Sequence, residues 1–530
     1  MRIPGFLVSS SIHVVVRGLV VLACASLLMA CGPPPRPPGL DQPAVERSLP
    51  SGGALADALR PQIEAHPGLS GIYALADGRD AFAARVALAR AAQHALDVQY
   101  YIWRPDMTGA LMFEALLEAA SRGVRVRLLL DDNNGRDIDV WLAELDSHPN
   151  IEVRLFNPFV LRAARVLNFL TDFDRLNRRM HNKSFTVDAQ ATIVGGRNIA
   201  DAYFDAAPDI LFADLDVLAV GPVVVDVARD FDRYWKSESA YPASIVLPET
   251  LVEGGTASLA QRILKVREDP EAQQYLQVVA GSKLLFDLRE GALPLDWAPV
   301  EMVSDDPAKG LGMAEPEALL PNQLNEIIGE PQHDVELVSP YFIPTEAGVA
   351  AFADLVKKGV RVRVLTNSLE ATDISVAHAG YSKYRQPLLR AGVELFETRL
   401  QSRPDSRHGG ALGLSGSSGS SSLHAKTFAV DGERVFVGSF NFDPRSVNYN
   451  TEMGFVIHSR ELAYQIDQAF DIAVPQRAYR LLLDEDGRLI WEKREDEGEG
   501  VRRFTSEPGT SIWRRIWVQF LSWLPIEGFL

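Results

Sequence analysis

Apolar and polar positions along the chain follow helical and strand periods in turn. From Asp80 to His94 the apolar residues recur with a helical period, and the next stretch, ALDVQYYIW, is rich in residues that favour strands. LMFEALLEAASRG then predicts a helix that ends at Gly123, and VRVRLLLDD predicts another strand. Strands that alternate with helices predict an α/β fold.

The same order of elements returns in the second half of the chain. DVELVSPYFIP parallels the first strand, and VAAFADLVKKGVRVRVLT parallels the helix and strand that follow it. The pentapeptide GVRVR begins at Gly123 and again at Gly359. The separation between the two copies along the chain is far too long for a solenoid repeat. It therefore predicts two similar domains packed face to face with pseudo-two-fold symmetry.

Each half also carries the same spaced set of polar residues. MHNKSFTVDAQATIVGGRN runs from Met180 to Asn198, and LHAKTFAVDGERVFVGSFN runs from Leu423 to Asn441. Both contain His-x-Lys followed by Asp, Gly and Asn at identical spacing, and both predict a β-hairpin. A His and a Lys two residues apart on a strand point to the same face, so both can reach into one cleft.

Composition narrows the classes of function. Apolar residues make up 47% of the chain and charged residues 23%, as in an ordinary globular protein. The net charge of -17 disfavours binding to nucleic acid through phosphate contacts. The chain has two cysteines, Cys24 and Cys31, so the folded part is expected to have neither a disulfide nor a thiolate metal site.

The N-terminus has the pattern of a targeting segment. Arg2 and Arg17 precede an apolar run from Gly18 to Ala30, which is too short to span a bilayer and is typical of a signal peptide. The run ends in LLMAC at Cys31, which resembles the bacterial lipobox, and this resemblance implies lipidation of the Cys31 thiol. An ordinary cleavage site with a chance Cys is the alternative. The proline-rich stretch that follows predicts an extended tether.

A paired His/Lys set suits displacement at a phosphodiester. Lys ammonium and Asn amide groups donate to the non-bridging oxygens, where charge accumulates. One neutral His attacks phosphorus, while the other, protonated, donates to the leaving alkoxide and later accepts the proton of the incoming alcohol. Two His on opposite sides of one phosphorus require both halves of the chain, so the sequence predicts a single shared site.

The repeated pattern resembles the two-copies-per-chain signature of the phospholipase D superfamily. WLAELDSHPNIEVRLFNPF, FADLDVLAVGP and SFNFDPRSVNYNTEMG resemble its bacterial cardiolipin synthase branch, and within it the lipoprotein-type group. The resemblance extends from about Leu55 to the C-terminus. It implies two tandem phospholipase D-like domains, each a mixed β-sheet flanked by helices, with one active site at their interface. It also implies catalysis through a phosphohistidine without a metal or cofactor.

Carried over to this chain, the resemblance implies a catalytic set of six residues: His181, Lys183, Asp188, His424, Lys426 and Asp431. Within this set, the two Asp are expected to support the hairpins, and His181 is favoured as the nucleophile by analogy. Phosphate binding and support are expected from six more residues: Asn198, Asn441, Ser439, Gly196, Asp214 and Glu452. The two acids, Asp214 and Glu452, are expected to orient the imidazoles. Gly196 stands where the second copy has Ser439, so a hydroxyl contact is expected from one side only.

Three further segments suggest contacts with lipid. The resemblance implies that His378, Tyr381 and Arg385 line a headgroup pocket, with helix packing as the alternative. LNFLTDFDRLNRRM, directly before His181, predicts a basic amphipathic stretch on an anionic lipid surface or a core-facing helix. The tail IWRRIWVQFLSWLPIEGFL holds three Trp and suits the membrane interface better than a packed helix.

The predicted organisation has six parts: a signal peptide (1–30), a tether (31–54), a first domain (55–243), a connector (244–298), a second domain (299–485) and an amphipathic C-terminal segment (486–530). The predicted reaction makes cardiolipin from phosphatidylglycerol and a second phospholipid, either phosphatidylglycerol or phosphatidylethanolamine. The alternatives are a hydrolase that releases phosphatidic acid, a nuclease, and a lipoprotein that binds phospholipid without turnover.

The expected partners are phospholipid substrates and a membrane surface, with no nucleic acid and no obligate protein partner. The expected location is the periplasmic face of a bacterial membrane, and the sequence leaves open whether this is the inner or the outer one.

Overall fold

Two mixed β-sheets flanked by helices organise the chain, and the predicted α/β fold is confirmed. The computed structural model describes residues 52–133, 136–207, 210–252, 254–400, 420–495, 500–524 and 527–530. The predicted signal peptide, Cys31 and all but the end of the predicted tether lie outside the described residues.

The strands of the first half, through the predicted connector, are β1 (Ser70–Leu75), β2 (Ala95–Tyr100), β3 (Arg125–Asp131), β4 (Ile151–Phe156), β5 (Ser184–Val187), β6 (Ala191–Gly195), β7 (Ile210–Ala213), β8 (Asp216–Val220), β9 (Ala240–Pro242) and β10 (Asp296–Ala298). Those of the second half are β11 (Val300–Ser304), β12 (Asp334–Val338), β13 (Arg361–Asn367), β14 (Glu394–Thr398), β15 (Ser420–Leu423), β16 (Thr427–Val430), β17 (Arg434–Gly438), β18 (Met453–Ile457), β19 (Ala478–Leu483), β20 (Leu489–Arg494) and β21 (Val501–Phe504).

The α-helices before the second half are α1 (Ala54–Ala65), α2 (Gly78–Ala91), α3 (Met107–Ser121), α4 (Asp139–Asp146), α5 (Arg165–Asn168), α6 (Phe173–Leu176), α7 (Pro222–Lys236), α8 (Ala243–Val246), α9 (Gly255–Arg267), α10 (Pro270–Ala280) and α11 (Lys283–Arg289). The remaining α-helices are α12 (Leu320–Ile328), α13 (Thr345–Lys357), α14 (Ser375–Ser382), α15 (Arg385–Ala391), α16 (Pro444–Asn448), α17 (Arg460–Gln468), α18 (Val474–Arg477) and α19 (Ile512–Ser522).

Strand order shows the internal repeat. The run β8-β6-β5-β2-β3-β4 in the first sheet corresponds to the run β18-β17-β16-β12-β13-β14 in the second. In both runs the last three strands are parallel and the others antiparallel. Helices α3 and α13 are followed by the equivalent glycines Gly123 and Gly359, whose φ angles of 95° and 93° favour glycine. The predicted duplication of a whole domain is therefore confirmed.

One apolar layer joins the two sheets. Val194 and Val217 from the first sheet pack in the same buried cluster as Val437 and Phe455 from the second. Strands β7 and β15, one from each half, also pair in parallel across the interface. The two domains therefore share a core, and the segments at the edge of this core are held in fixed positions relative to each other.

Two parts of the chain differ from the predicted organisation. In the predicted connector, helices α9 to α11 pack Leu259, Tyr275 and Leu284 into the core of the first domain, and β10 joins the edge of its sheet. The segment from residue 486, predicted to be amphipathic throughout, first adds β20 and β21 to the second sheet and buries Trp491. None of the described helices is long and apolar enough to cross a membrane.

Candidate active site

The first His-x-Lys segment directly precedes β5, and the second directly precedes the equivalent strand β16. The motif Asn of the first copy follows β6, and that of the second copy follows the equivalent strand β17. Because β5 pairs with β6 and β16 with β17 as antiparallel hairpins, the start of one strand lies beside the end of the other. Each hairpin thus gathers its own His, Lys and Asn at one edge of its sheet, as the sequence predicts.

Backbone hydrogen bonds hold each hairpin against the other half of the protein. The His181 amide donates to the Thr451 carbonyl at 2.9 Å, and the Thr451 amide donates to the Arg179 carbonyl at 2.9 Å. In the other half, the His424 amide donates to the Ala213 carbonyl at 2.7 Å. Thr451 and Ala213 directly precede the two predicted acids, so each His backbone is fixed to the segment that carries the opposite acid.

The imidazole of each His bonds a carboxylate from the opposite repeat. His181 Nδ1 lies 2.8 Å from Glu452 Oε2, and His424 Nδ1 lies 2.6 Å from Asp214 Oδ2. All four side chains are buried. A carboxylate at Nδ1 favours the tautomer that carries hydrogen there, and this tautomer leaves a lone pair on Nε2 for chemistry. The pairs cross between repeats, which the sequence comparison of the two copies does not show.

Two tyrosines pack edge-on against the imidazoles. The ring centroids of Tyr101 and His181 are 5.0 Å apart, and those of Tyr203 and His424 are 5.1 Å apart. Neither tyrosine could be predicted from the repeated motif, because both lie outside it. Together with the carboxylates they fix the orientation of each ring.

Both motif lysines are buried beside the His on their own strand. Lys183 Nζ donates to the His181 carbonyl at 2.5 Å, and Lys426 Nζ lies 3.0 Å from Nδ1 and 3.2 Å from Nε2 of His424. Burial lowers the pKa of Lys183 to about 7 and that of Lys426 to about 8, although the nearby carboxylates oppose the shift. An anion bound beside the two lysines would therefore favour their charged forms.

The same burial acts on the imidazoles. Burial, then the charges of Lys183 and Lys426, hold the pKa of His181 well below its usual range. Burial and Lys426 lower the pKa of His424 to about 4, although Asp214 opposes the shift. Both rings are therefore neutral at pH 7, and each is available as a nucleophile or a proton acceptor.

Glu452 sits in a network of hydroxyl and backbone donors. Ser439 Oγ donates to its Oε2 at 2.5 Å, and Ser446 Oγ donates to its Oε1 at 2.8 Å. The Glu452 amide donates to Asp305, which is paired with Lys309 at 2.9 Å. Burial raises the pKa of Glu452 to about 7, although Lys183 opposes the shift. Ser446, Asp305 and Lys309 were not predicted from the sequence, because they lie outside the repeated pattern.

The environment of Asp214 differs from that of Glu452 and explains the departure at Gly196. A Cβ on Gly196 would lie 2.2 Å from Asp214 Oδ1, so this position has no room for the side chain that Ser439 has in the other copy. Asp214 Oδ1 instead accepts from the Leu215 amide at 2.8 Å. Burial opposes ionisation of Asp214, yet the neighbouring His424 and Lys426 lower its pKa.

The two motif asparagines are not equivalent. Asn198 Oδ1 accepts from the Ile102 amide at 3.0 Å, and its Nδ2 donates to the Tyr203 hydroxyl at 3.0 Å. Asn441 is buried beside the Ser446 hydroxyl, to which its backbone N–H donates at 3.3 Å. Asn198 thus holds Tyr203 against His424 in the structure, and its direct contact with phosphate stays a prediction.

Asp188 and Asp431 cap the start of a neighbouring strand. Asp188 accepts from the amides of Gln93, His94 and Ala95 at 2.9, 2.8 and 2.7 Å. Asp431 accepts from the equivalent amides of residues 332 to 334. Both Asp have positive φ angles, 51° and 56°, at the tips of the hairpins. These contacts fit the expected supporting role, and the inclusion of the two Asp in the catalytic set is not supported by any contact with the imidazoles.

The three residues predicted to line a headgroup pocket form an internal cluster instead. His378, Tyr381 and Arg385 are all buried. Arg385 donates to Glu397 at 2.7 Å and to Glu507 at 2.5 Å, and its Nη2 lies 2.8 Å from His378 Nε2. Glu507 belongs to the C-terminal segment, so this cluster fastens that segment to the second domain. The alternative of helix packing fits the structure better than the headgroup pocket.

Within the described ranges, no group of three or more His, Cys, Asp or Glu side chains has the arrangement of a metal site.

Two repeated α/β domains that share one pair of His–Lys sets define a phospholipase D-like protein of the two-copy type. A family profile described as "Cardiolipin synthase, PLD-like domain" matches residues 86–235 and 324–473. The chain belongs to this family.

Individual relatives agree with this assignment. The chain is 52% identical to "Cardiolipin synthase C" of Escherichia coli (strain K12), over 90% of this chain and 99% of that protein. It is 32% identical to an uncharacterized protein of Helicobacter pylori (strain ATCC 700392 / 26695), over 88% of this chain and 90% of that protein. The crystal structure of phosphatidylserine synthase from Haemophilus influenzae Rd KW20 shares the fold, with a TM-score of 0.53 at 13% identity, over 88% of this chain and 96% of that one.

Proposed function

We propose that this chain is a phosphatidyltransferase that makes cardiolipin from phosphatidylglycerol and a second phospholipid, either phosphatidylglycerol or phosphatidylethanolamine. The observation that carries the proposal is the pair of neutral, buried imidazoles, each bonded at Nδ1 to a carboxylate of the opposite repeat. The identity to cardiolipin synthase C over almost its whole length supports the choice of reaction.

In the first step, Nε2 of His181 attacks the phosphorus of the donor lipid. An N–P bond forms while the P–O bond to the headgroup breaks, and His424 gives a proton to the departing oxygen of glycerol or ethanolamine. His424 must be protonated for this step. The anionic phosphodiester favours that state, because its negative charge raises the pKa of a neighbouring imidazole.

In the second step, His424 accepts the proton of a headgroup hydroxyl on phosphatidylglycerol. The oxygen attacks phosphorus, a P–O bond forms, the N–P bond breaks, and His181 is released with cardiolipin as product. Lys183 and Lys426 neutralise the charge on the phosphoryl oxygens in both steps. Because the pKa of Glu452 is raised, this acid favours a protonated His181 less than the anionic Asp214 favours a protonated His424. We therefore assign the role of nucleophile to His181 and the role of proton donor to His424.

We also propose that the mature protein is a lipoprotein anchored through Cys31 on the periplasmic face of a bacterial membrane. The support is the apolar run before Cys31 and the proline-rich stretch after it. The proposed folded region starts near residue 55, with residues 244–298 assigned to the first domain and the strands from residue 486 to 504 assigned to the second.

The test incubates the protein with vesicles of phosphatidylglycerol, with and without phosphatidylethanolamine, and measures the products by mass spectrometry. Cardiolipin is expected from the unchanged chain, and its loss is expected in His181→Ala and in His424→Ala. His333→Ala, which changes an exposed His, is the matched control and keeps full activity. Phosphatidic acid without cardiolipin identifies a hydrolase, and no lipid product from folded protein overturns the proposal.

The nucleophile is tested with a donor lipid that carries p-nitrophenol, which leaves without help from an acid. His424→Ala is expected to accumulate a phosphatidyl group on the peptide that contains His181, because removal of the base blocks the second step. The same adduct on His424 in the His181→Ala variant reverses the assignment of the two roles.

A further inference from the structure

The segment before His181 has its polar and apolar residues arranged the opposite way from an ordinary surface segment. Its arginines face the protein: Arg175 pairs with Asp172 at 2.6 Å, and Arg179 is buried against Asp131 at 2.9 Å. Three of its aliphatic side chains face outward, with Val166 79%, Leu167 52% and Leu170 81% exposed, whereas Leu176 is buried. The basic lipid-facing surface predicted for this stretch is wrong, since its arginines are paired within the protein. The segment has two short helices, α5 and α6, where Leu167 and Phe173 are exposed beside Asp174.

The C-terminal helix α19 presents a second apolar surface. Its inner side packs Val518 and Leu521 against Leu369 and Ala379. Its outer side carries large apolar residues at helical spacing, all of them exposed: Ile512, Trp513, Ile516, Trp517 and Phe520, followed by Trp523 and Leu524. Contiguous apolar surface of this kind is rare on a monomeric soluble protein and marks an interaction site.

Arg445 links the two segments that carry these apolar surfaces. The Arg445 guanidinium donates to Asn177 Oδ1 at 3.0 Å and to the Asn177 carbonyl at 2.8 Å, which holds the end of the segment before His181. The Arg445 amide donates to the carbonyl of Leu530, at the end of the C-terminal segment, at 2.7 Å. The Asn450 amide donates to the Arg445 carbonyl at 2.9 Å, and the next residue, Thr451, accepts from the His181 amide at 2.9 Å, so this link lies close to His181 along the chain of contacts.

We propose that these surfaces form one docking face that inserts into the outer layer of a phospholipid bilayer and places the mouth of the site against it. The docking face consists of Val166, Leu167 and Leu170 on one side and of Trp513, Trp517, Phe520 and Trp523 on the other. The choice of a bilayer as the occupant rests on the proposed function, since the substrates are then membrane lipids, and on the Trp-rich outer side of α19, which suits the interface.

The docking face works by apolar insertion and not by attraction to anionic lipid. The chain has a net charge of -17, and the arginines before His181 are engaged with carboxylates or backbone inside the protein. Docking is therefore expected to persist when salt is raised from about 0.1 M to about 1 M, which shortens the screening length about threefold.

The test places a polarity-sensitive fluorophore on single cysteines in the full chain, in a background in which Cys24 and Cys31 are both changed to Ser. Leu170→Cys and Trp517→Cys mark the docking face, and Phe286→Cys and Ile472→Cys mark exposed apolar positions elsewhere. On phosphatidylglycerol/phosphatidylethanolamine vesicles, the probes at 170 and 517 are expected to shift to shorter wavelength and to be quenched by brominated lipid. The probes at 286 and 472 are expected to stay unchanged.

Each probe is also measured in the His181→Ala variant, which has no turnover under the proposed function. Docking signals that persist there, with or without cardiolipin formation by the unchanged chain, support the docking face separately from the reaction. Probes at 170 and 517 that behave like those at 286 and 472 overturn it. A concentration-dependent shift at 170 and 517 without vesicles also overturns it, because the occupant is then a second copy of the chain.

Discussion

Glu452 in the second repeat accepts a hydrogen bond from His181 in the first, with 2.8 Å between Oε2 and Nδ1. The reciprocal bond joins Asp214 in the first repeat to His424 in the second. Each imidazole therefore depends on the other repeat for its carboxylate, so neither repeat has a fully oriented imidazole without its partner. This exchange gives a physical reason why the two halves share a continuous core.

Replacing Glu452 by Gln is expected to reduce the rate of cardiolipin formation. The amide keeps the shape of the side chain but donates as readily as it accepts, so the His181 tautomer with a free Nε2 is no longer favoured. The loss expected from a wrong tautomer is about 10²- to 10⁴-fold in kcat. Single-turnover measurements on vesicles give the rate, and Glu433→Gln, an exposed carboxylate on the second domain, is the control. Unchanged turnover in Glu452→Gln would show that the imidazole does not need this carboxylate.

Lys183→Met is expected to change how stability depends on pH. The pKa of Lys183 is about 7 in the folded protein and 10.5 when unperturbed, so between these values the unfolded chain binds more protons. The free-energy cost of burying the charged Lys183 therefore has its maximum below pH 7, and it decreases as the pH rises towards 10.5. Relative to the unchanged protein, the Met variant gains about 1–3 kcal/mol at pH 6, and the gain shrinks by pH 9.

Chemical denaturation at both pH values measures this difference for Lys183→Met, with the exposed Lys357→Met as the control. The Met variant is expected to lose lipid turnover at every pH. A stability difference that is the same at pH 6 and pH 9 would contradict the lowered pKa.

Gly196→Ala is expected to impair the chemistry through Asp214. The added Cβ meets Asp214 Oδ1 at 2.2 Å, so the carboxylate must move away from its 2.6 Å bond to His424. Activity is expected to fall at least tenfold in kcat, since a displaced orienting group lowers the rate strongly. Gly281→Ala is the control, because a Cβ there makes only ordinary contacts at 3.6 Å. Full activity in Gly196→Ala would mean that Asp214 can shift without cost.

The sequence predicted the repeat and the residues that each copy brings to the site, because periodic apolar patterns and duplicated spacing are properties of the chain itself. It did not predict which acid serves which His. The alignment places Asp214 and Glu452 at equivalent positions, but whether an acid turns to its own hairpin or to the opposite one depends on how the two sheets pack.

The duplicated spacing could not predict site residues that lie outside the repeat. Ser446, Asp305 and Lys309 support Glu452 without a counterpart in the first copy, so no duplicated spacing marks them. The headgroup prediction for His378 and Arg385 was made from resemblance, and the structure turns both towards Glu507, a contact that joins residues far apart in the sequence.

Asp188→Ala is expected to lower stability more than it lowers activity. The change leaves three backbone amides at the entry to β2 without their acceptor and puts Ala at a positive φ angle, at a cost of about 1–3 kcal/mol. Asp188→Asn, which keeps an oxygen and tolerates this φ angle, is expected to be milder. Thermal unfolding and kcat per folded molecule are measured for both. A large fall in kcat with unchanged stability would return Asp188 to the catalytic set.

Glu507→Gln is expected to loosen the C-terminal segment. Glu507 is the partner of Arg385 in a buried cluster, and the charge of Arg385 lowers the pKa of this carboxyl against the effect of burial. Removing one charge from a buried pair costs about 3–5 kcal/mol, and here the loss falls on the contact that fastens residues 505 to 524. Hydrogen exchange in α19 is expected to become faster.

The KM for a soluble short-chain phosphatidylglycerol separates the fastening role of Glu507 from a headgroup pocket. If Arg385 and His378 only hold the C-terminal segment, Glu507→Gln leaves this KM within about twofold, because the imidazoles and lysines of the site are untouched. A raised KM with unchanged hydrogen exchange in α19 would show that the cluster binds the headgroup after all. Lys383→Met, which removes the more exposed contact to Glu527, is the matched control for the segment.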